Sequence, residues 1–176
     1  PLLITAIFTG MRSSEIRGLR WKDVDFKANE IRVTQRADQY GEIGPPKSEA
    51  GTRTIPVPPI VINTLKEHKL GQPNGSALVY GTPDGEPRTH TNIVLKGLGP
   101  AMIRAGVTVV EKNSKGEKVV KAKYPGLHAL RHFYASWLIN RKEDGGLGLP
   151  VKMVQERMGH ASIVMTMDTY GHLFPR

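Results

Sequence analysis

The stretch Leu127-His128-Ala129-Leu130-Arg131-His132-Phe133-Tyr134-Ala135-Ser136-Trp137-Leu138 carries the clearest helical pattern of the chain. Steps of about 100° per residue put Leu127, Leu130, Tyr134, Trp137 and Leu138 on one face, and His128, Arg131, His132 and Ala135 on the other. A helix over residues 127–141 therefore presents His128 and Arg131 one turn apart. Both side chains can then reach a single target, and the small Ala135 lets another backbone come close. Taken alone, the segment reads first as an ordinary amphipathic helix with a solvated arginine. His128 and His132 also have the spacing of helical zinc sites, but Ala129 stands where a general-base glutamate belongs and Arg131 would aim a positive charge at the ion. No metal is expected here.

Downstream, Gly145, Gly146 and Gly148 form a loop, Pro150 opens a helix that Gly159 closes, and Ser162 caps a last short helix reaching Tyr170. His160 projects between those two helices. Upstream, residues 107–124 alternate around Asn113-Ser114-Lys115-Gly116 and read as a hairpin carrying Lys112, Lys115, Lys118, Lys121 and Lys123. That hairpin is either a solvated protrusion or an arm that touches DNA. Residues 89–105 predict a helix bent near Gly97-Leu98-Gly99-Pro100, Leu78-Val79-Tyr80 is a short apolar stub, and Pro58 opens a helix to about residue 69.

Residues 30–58 change character. Ile31 and Val33, a turn signal at Gln39-Tyr40-Gly41, and residues 52–57 predict three short antiparallel strands, with Lys47 at the turn between the second and third. At the start, Leu2, Leu3, Ala6 and Ile7 recur at helical spacing, Thr9-Gly10 interrupts, and Ser13-Ser14-Glu15 reads as a capped start of a second helix to about residue 21. Arg12 lies on the turn between them. Nothing caps the apolar residues 1–8, so the chain is expected to begin inside an element, as a piece of a larger protein. The predicted architecture is mainly α (α+β): one domain over residues 1–176, helical, with a small three-stranded antiparallel sheet at one edge.

The 176 residues include 25 Lys and Arg against 16 Asp and Glu, a net charge of +9. Such a balance suits a domain that sits on a polyanion, although ribosomal and membrane-surface proteins share it. The absence of cysteine excludes disulfides and thiolate metal sites and fits a reducing cytoplasm. No apolar run is long enough to span a bilayer and no charged-then-apolar leader opens the chain, so a soluble protein is expected.

Six scattered residues read together as a site for attack on a phosphodiester: Arg12, Lys47, His128, Arg131, His160 and Tyr170. Arginines grip phosphate oxygens with planar forks of donors, lysine and histidine donate or shuttle protons, and a tyrosine hydroxyl can attack phosphorus. The set asks for no metal or other cofactor. Each member alone has a duller reading: Tyr170 as a packing residue, Lys47 as a turn lysine.

Five segments raise the set above coincidence. Thr9-Gly10-Met11-Arg12-Ser13-Ser14-Glu15-Ile16 with Leu19 and Trp21, Lys47 ahead of Arg53-Thr54-Ile55-Pro56, His128-Ala129-Leu130-Arg131-His132, Met158-Gly159-His160 and Thr169-Tyr170 resemble, in order and interval, the catalytic domain of the tyrosine recombinase (phage integrase) family. The resemblance implies that Arg12 and Arg131 clamp the scissile phosphate, Lys47 protonates the leaving 5′ oxygen and His128 handles the nucleophile's proton. It also implies that His160 supports the nonbridging oxygens and Tyr170 forms a 3′-phosphotyrosyl link. Glu15 matches an acidic position that buttresses the site, and His132 matches the motif without a catalytic role. The implied protein is a metal-independent site-specific recombinase or integrase of a mobile element, bacterial or phage-encoded, cytoplasmic and nucleoid-associated. It would act on double-stranded DNA, as a homotetramer on paired sites at full length and as a monomer in this fragment. Against the family pattern, the helix before the first motif is short, the N-terminal DNA-clamping domain is absent, and little follows Tyr170. A type IB topoisomerase and a non-catalytic DNA-binding module are the alternatives.

Overall fold

The structure, a computed structural model, describes residues 1–73 and 75–174. Helix α1 (Leu2–Thr9) ends at Gly10, whose φ of 57° and N–H bond back to Ala6 close the helix in the left-handed conformation. Helix α2 (Ser13–Arg17) starts at Arg12 and stops at Gly18, one turn sooner than the sequence predicts. A sheet follows, built from β1 (Val24–Asp25), β2 (Glu30–Val33) and β5 (Arg53–Pro56), while β3 (Arg36–Ala37) and β4 (Ile43–Gly44) form a separate ribbon between β2 and β5. Helix α3 is Pro59–Leu70. Then α4 (His90–Ile93), a π turn over Val94–Leu98 and α5 (Gly99–Arg104) run on without a break, and the π turn falls at the glycines just before Pro100, where the sequence predicts a bend. Strands β6 (Thr108–Lys112) and β7 (Lys118–Ala122) make the lysine-bearing hairpin. The chain ends with α6 (His128–Ile139), α7 (Val151–Met158) and α8 (Ile163–Tyr170).

The antiparallel three-stranded sheet is present, but its members differ from the expected ones. In the register of β2 with β5, Ile31 faces Ile55, and both are fully buried. The third strand is β1, outside the 30–58 window and too short to show an alternation. The segment expected as the middle strand is β4, which pairs with β3 in the separate ribbon and not with the sheet; the predicted turn joins them, and there Asp38 Oδ1 accepts the N–H groups of Tyr40 and Glu42.

One apolar core joins both halves. Ile16, Ile31, Ile55, Val61 and Leu65 fill it beside the sheet, and Tyr134, Leu138, Val154 and Met158 fill it among the helices. Helix α1 packs on α3 and α6, and α7 bridges α6, β5 and α8. The buried stripe of α6 is rotated from the predicted one: Arg131, Tyr134, Ala135, Leu138 and Ile139 are buried, whereas Leu130 and Trp137 are only partly covered. A buried arginine is tolerable only where its donors are met. Arg131 meets that condition by donating from Nη1 to the Gly10 carbonyl and from Nη2 to the Met158 carbonyl. No helix among the described residues is long and apolar enough to cross a membrane.

Candidate active site

Glu15 organises the cationic side of the site. It is 2% exposed, and its Oε2 accepts the Arg12 backbone N–H at 2.8 Å, the carboxylate half of a capping box at the start of α2. The same carboxylate takes Arg12 Nη1 at 2.9 Å and Arg53 Nη2 at 2.9 Å. Burial alone would raise its pKa, but the charge and hydrogen bonds of Arg53, with those of Arg12, outweigh burial and hold it below the usual glutamate value. Arg53 is pinned further by the carbonyls of Arg157 and Gly51, each at 2.9 Å. Sequence reading missed Arg53 as a site residue. The one available signal was Glu15 itself, since a buried carboxylate in a basic chain needs cationic partners.

Arg12 Nη2 also reaches the Gly159 carbonyl at 3.3 Å, next to the Met158 carbonyl that holds Arg131. The two arginines are thus anchored on consecutive carbonyls at the end of α7. Burial, and then the like charges of Arg12 and Arg53, lower the Arg131 pKa to about 10, which leaves it a cation at neutral pH. Arg12, Lys47, His128 and Arg131 line one cleft of about 630 Å³, which Thr89 and His90 at the start of α4 also line. Lys47 is exposed on the bend between β4 and β5. His128 is lowered in pKa by burial and then by the charges of His132, Arg131 and Arg12, so its ring is neutral at physiological pH.

His160 and Tyr170 stand beside this cleft and do not line it. His160 is buried between α7 and α8, with Nδ1 2.9 Å from Thr166 Oγ1 and its ring parallel to that of Tyr170 at 6.3 Å. Burial first, then Arg131, Arg12 and Arg53, push its pKa down to about 4. Tyr170 is 4% exposed; burial raises its pKa and the charge of Arg131 opposes that rise. Its hydroxyl lies 2.8 Å from Nδ1 of His132, a residue that the sequence reading left without a role. His132 also meets His128 edge to face, with ring centroids 4.6 Å apart. Among the described residues no group of three or more His, Asp or Glu is placed to hold a metal ion.

A second depression of about 670 Å³, lined by Leu3, Ile7, Met102, Leu130 and Phe133, is almost wholly apolar and offers no cation to a phosphate. The hairpin lysines line neither depression. Lys112 faces Lys118 across the strands, Lys121 is paired with Glu111 at 2.9 Å, and Lys123 sits over the Tyr124 ring.

Gly10 couples the fold to the site. A Cβ there would lie 2.3 Å from Tyr134 Cδ1, the φ is left-handed, and the Gly10 carbonyl receives Arg131. Gly10→Ala is expected to destabilise the protein by about 2–4 kcal/mol through overpacking plus backbone strain. Urea unfolding measures the loss, and a variant as stable as wild type would show that the Tyr134 ring yields freely.

Residues 2–176 match the model of the "Phage integrase family". The chain is 31% identical to a tyrosine recombinase XerC-like protein of Caldanaerobacter subterraneus subsp. tengcongensis, over 99% of this chain and 46% of that one. It is 25% identical to the ICEBs1 integrase of Bacillus subtilis, over 97% of this chain and 44% of that one. The structure of the Tn1549 transposon integrase in complex with circular intermediate DNA superposes with a TM-score of 0.71 at 24% identity, over 99% of this chain and 54% of that one. The chain therefore spans about half the length of the proteins it matches. With the family pattern running from α1 through Tyr170, the chain belongs to the phage integrase family of tyrosine recombinases.

Proposed function

We propose that residues 1–176 form the catalytic domain of a site-specific DNA recombinase, an integrase that cuts and rejoins DNA strands through a 3′-phosphotyrosyl intermediate. The observation that carries this reading is the shared cleft of Arg12, Lys47, His128 and Arg131, with the Tyr170 hydroxyl 2.8 Å from Nδ1 of His132, the residue next to Arg131 on α6. Arg12 and Arg131 hold the nonbridging oxygens, Lys47 at the rim delivers a proton to the departing 5′ oxygen, and His128 serves proton traffic at the phosphate. The neutral His160 packs flat on Tyr170 and lends a donor to the phosphate oxygens. Double-stranded DNA is the substrate, in keeping with the Tn1549 integrase bound to circular intermediate DNA, and a homotetramer on paired sites is the proposed working assembly.

The energetics suit this assignment. A phosphodiester gains negative charge as a nucleophile adds, so fixed cations bind the transition state better than the ground state. Each preorganised donor is worth roughly 2.7–4 kcal/mol, and holding the phenol in line adds about 7–11 kcal/mol. The covalent link conserves the bond energy, so a 5′ hydroxyl reverses the step without a nucleotide cofactor.

The test is incubation with a nicked suicide duplex in EDTA, from which the cleaved end cannot religate. A protein–DNA adduct resistant to denaturation is expected; no adduct, or one that requires magnesium, sinks the reading. Neutralising the five hairpin lysines is expected to flatten the dependence of log affinity on log salt by about 0.9 for each phosphate that a lysine had neutralised, with Lys121 adding least because Glu111 already occupies it. An unchanged slope makes the hairpin a solvated protrusion.

A further inference from the structure

Two imidazoles, His132 and His160, meet the Tyr170 ring, a third, His128, meets His132, and the three are not equivalent. His160 stacks on the ring, but its Nδ1 is committed to Thr166. His128 is turned to the phosphate cleft and makes no hydrogen bond to Tyr170. Only His132 places a ring nitrogen on the reacting oxygen, Nδ1 at 2.8 Å from Oη. This distance is already that of a proton-transfer contact, with the phenol as donor when Nδ1 carries no proton. His132 follows Arg131 directly, so the burial of Arg131 against the Gly10 and Met158 carbonyls fixes the helix from which His132 reaches the phenol.

Resting on the recombinase reading above, we infer that His132 is a catalytic residue, the immediate acceptor of the Tyr170 proton. As Tyr170 Oη forms its bond to phosphorus and the bond from phosphorus to the 5′ oxygen breaks, the phenol proton passes to His132 Nδ1. The departing 5′ oxygen takes a separate proton from Lys47. In the reverse step the 5′ hydroxyl gives its proton back to Lys47 as its oxygen bonds to phosphorus, the bond from phosphorus to Oη breaks, and His132 returns its proton to the leaving phenolate. His128 is thereby left to the phosphate it faces. A phenol is protonated at neutral pH and burial raises the pKa of this one further, so an acceptor in direct contact is what the attack needs.

His132 is itself exposed and borders the apolar depression lined by Phe133 and Leu130, so removing its ring opens a space that small molecules can enter. That access makes the inference testable by chemical rescue. Single-turnover adduct formation on the nicked suicide duplex is measured for the intact protein, His132→Ala and His132→Asn, with duplex binding followed in parallel. Expected are unchanged binding, a loss of adduct rate of roughly 10²–10⁴-fold in both variants, and recovery of His132→Ala in proportion to added imidazole. His132→Asn keeps an acceptor near the phenol but has no useful proton affinity, so it stays slow. An asparagine variant as fast as wild type, or an alanine variant that is as fast as wild type or ignores imidazole, overturns the inference while adduct formation by wild type keeps the recombinase reading intact. A wild-type protein that forms no adduct sinks both together.

Discussion

Tyr170→Phe is expected to bind duplex DNA as wild type does and to form no covalent adduct at all. The ring of Tyr170 is 4% exposed and stacked on His160, and a phenylalanine keeps that packing atom for atom. What disappears is the hydroxyl and its hydrogen bond with His132, worth about 0.5–1.5 kcal/mol of stability, too little to unfold the domain. The groups expected to bind DNA, Arg12, Lys47, His128 and Arg131, lie in the neighbouring cleft and keep their partners. Binding and chemistry are thus carried by different side chains, and the variant separates them. Gel shift measures the first and denaturing electrophoresis of the suicide-duplex reaction the second. The four other tyrosines make poor substitutes: Tyr80 and Tyr134 are enclosed in the core, Tyr124 lines the apolar depression, Tyr40 is exposed, and none of them lines the cleft. An adduct of full yield from the variant would place the nucleophile elsewhere and dissolve the role given to His132.

The cleft residues were legible in the sequence because each sits at a local landmark. Arg12 is at a helix start after Gly10, Lys47 is at a turn, and His128 and Arg131 are one turn apart on a helix. Residues whose meaning depends on distant partners were not legible. Arg53 reads as a strand residue until it meets Glu15 across 38 positions, and His132 reads as solvent-facing until Tyr170, also 38 positions away, reaches it. The rotation of α6 has the same origin. Periodicity sorts residues by hydrophobicity, so it placed Arg131 outside; the carbonyls that make its burial tolerable come from Gly10 and Met158. In the sheet, β5 was readable from its own residues, whereas two-residue β1 exists only as a partner of β2.

The largest expected loss of stability belongs to Glu15→Gln, at about 3–5 kcal/mol. The carboxylate is the shared counterion of Arg12 and Arg53, and its charge also favours the cationic form of Arg131. Glutamine has nearly the same shape, so no cavity forms. It leaves a cluster of cations without compensation, and its amide turns a pair of donors towards guanidinium groups that need acceptors. Removing one member of a buried pair is the costly case, unlike replacing the whole pair with apolar groups. The sign with pH is fixed by the lowered pKa of Glu15. The stability contributed by its charge is present above about 4.5, the ordinary glutamate value, and is lost as pH falls towards the lower folded-state value. The gap between wild type and variant is therefore complete at neutral pH and narrows below about 4.5. His160, lowered from 6.5 to about 4, also costs stability as acid charges it, but that loss is common to both proteins and largely cancels in their difference. Urea unfolding of the pair at neutral pH and near pH 4 reads the effect directly. A gap under about 1 kcal/mol at neutral pH would mean that water, and not Glu15, compensates the arginines. Arg12 and Arg131 would then hold their positions on the carbonyls of Gly159, Gly10 and Met158 alone.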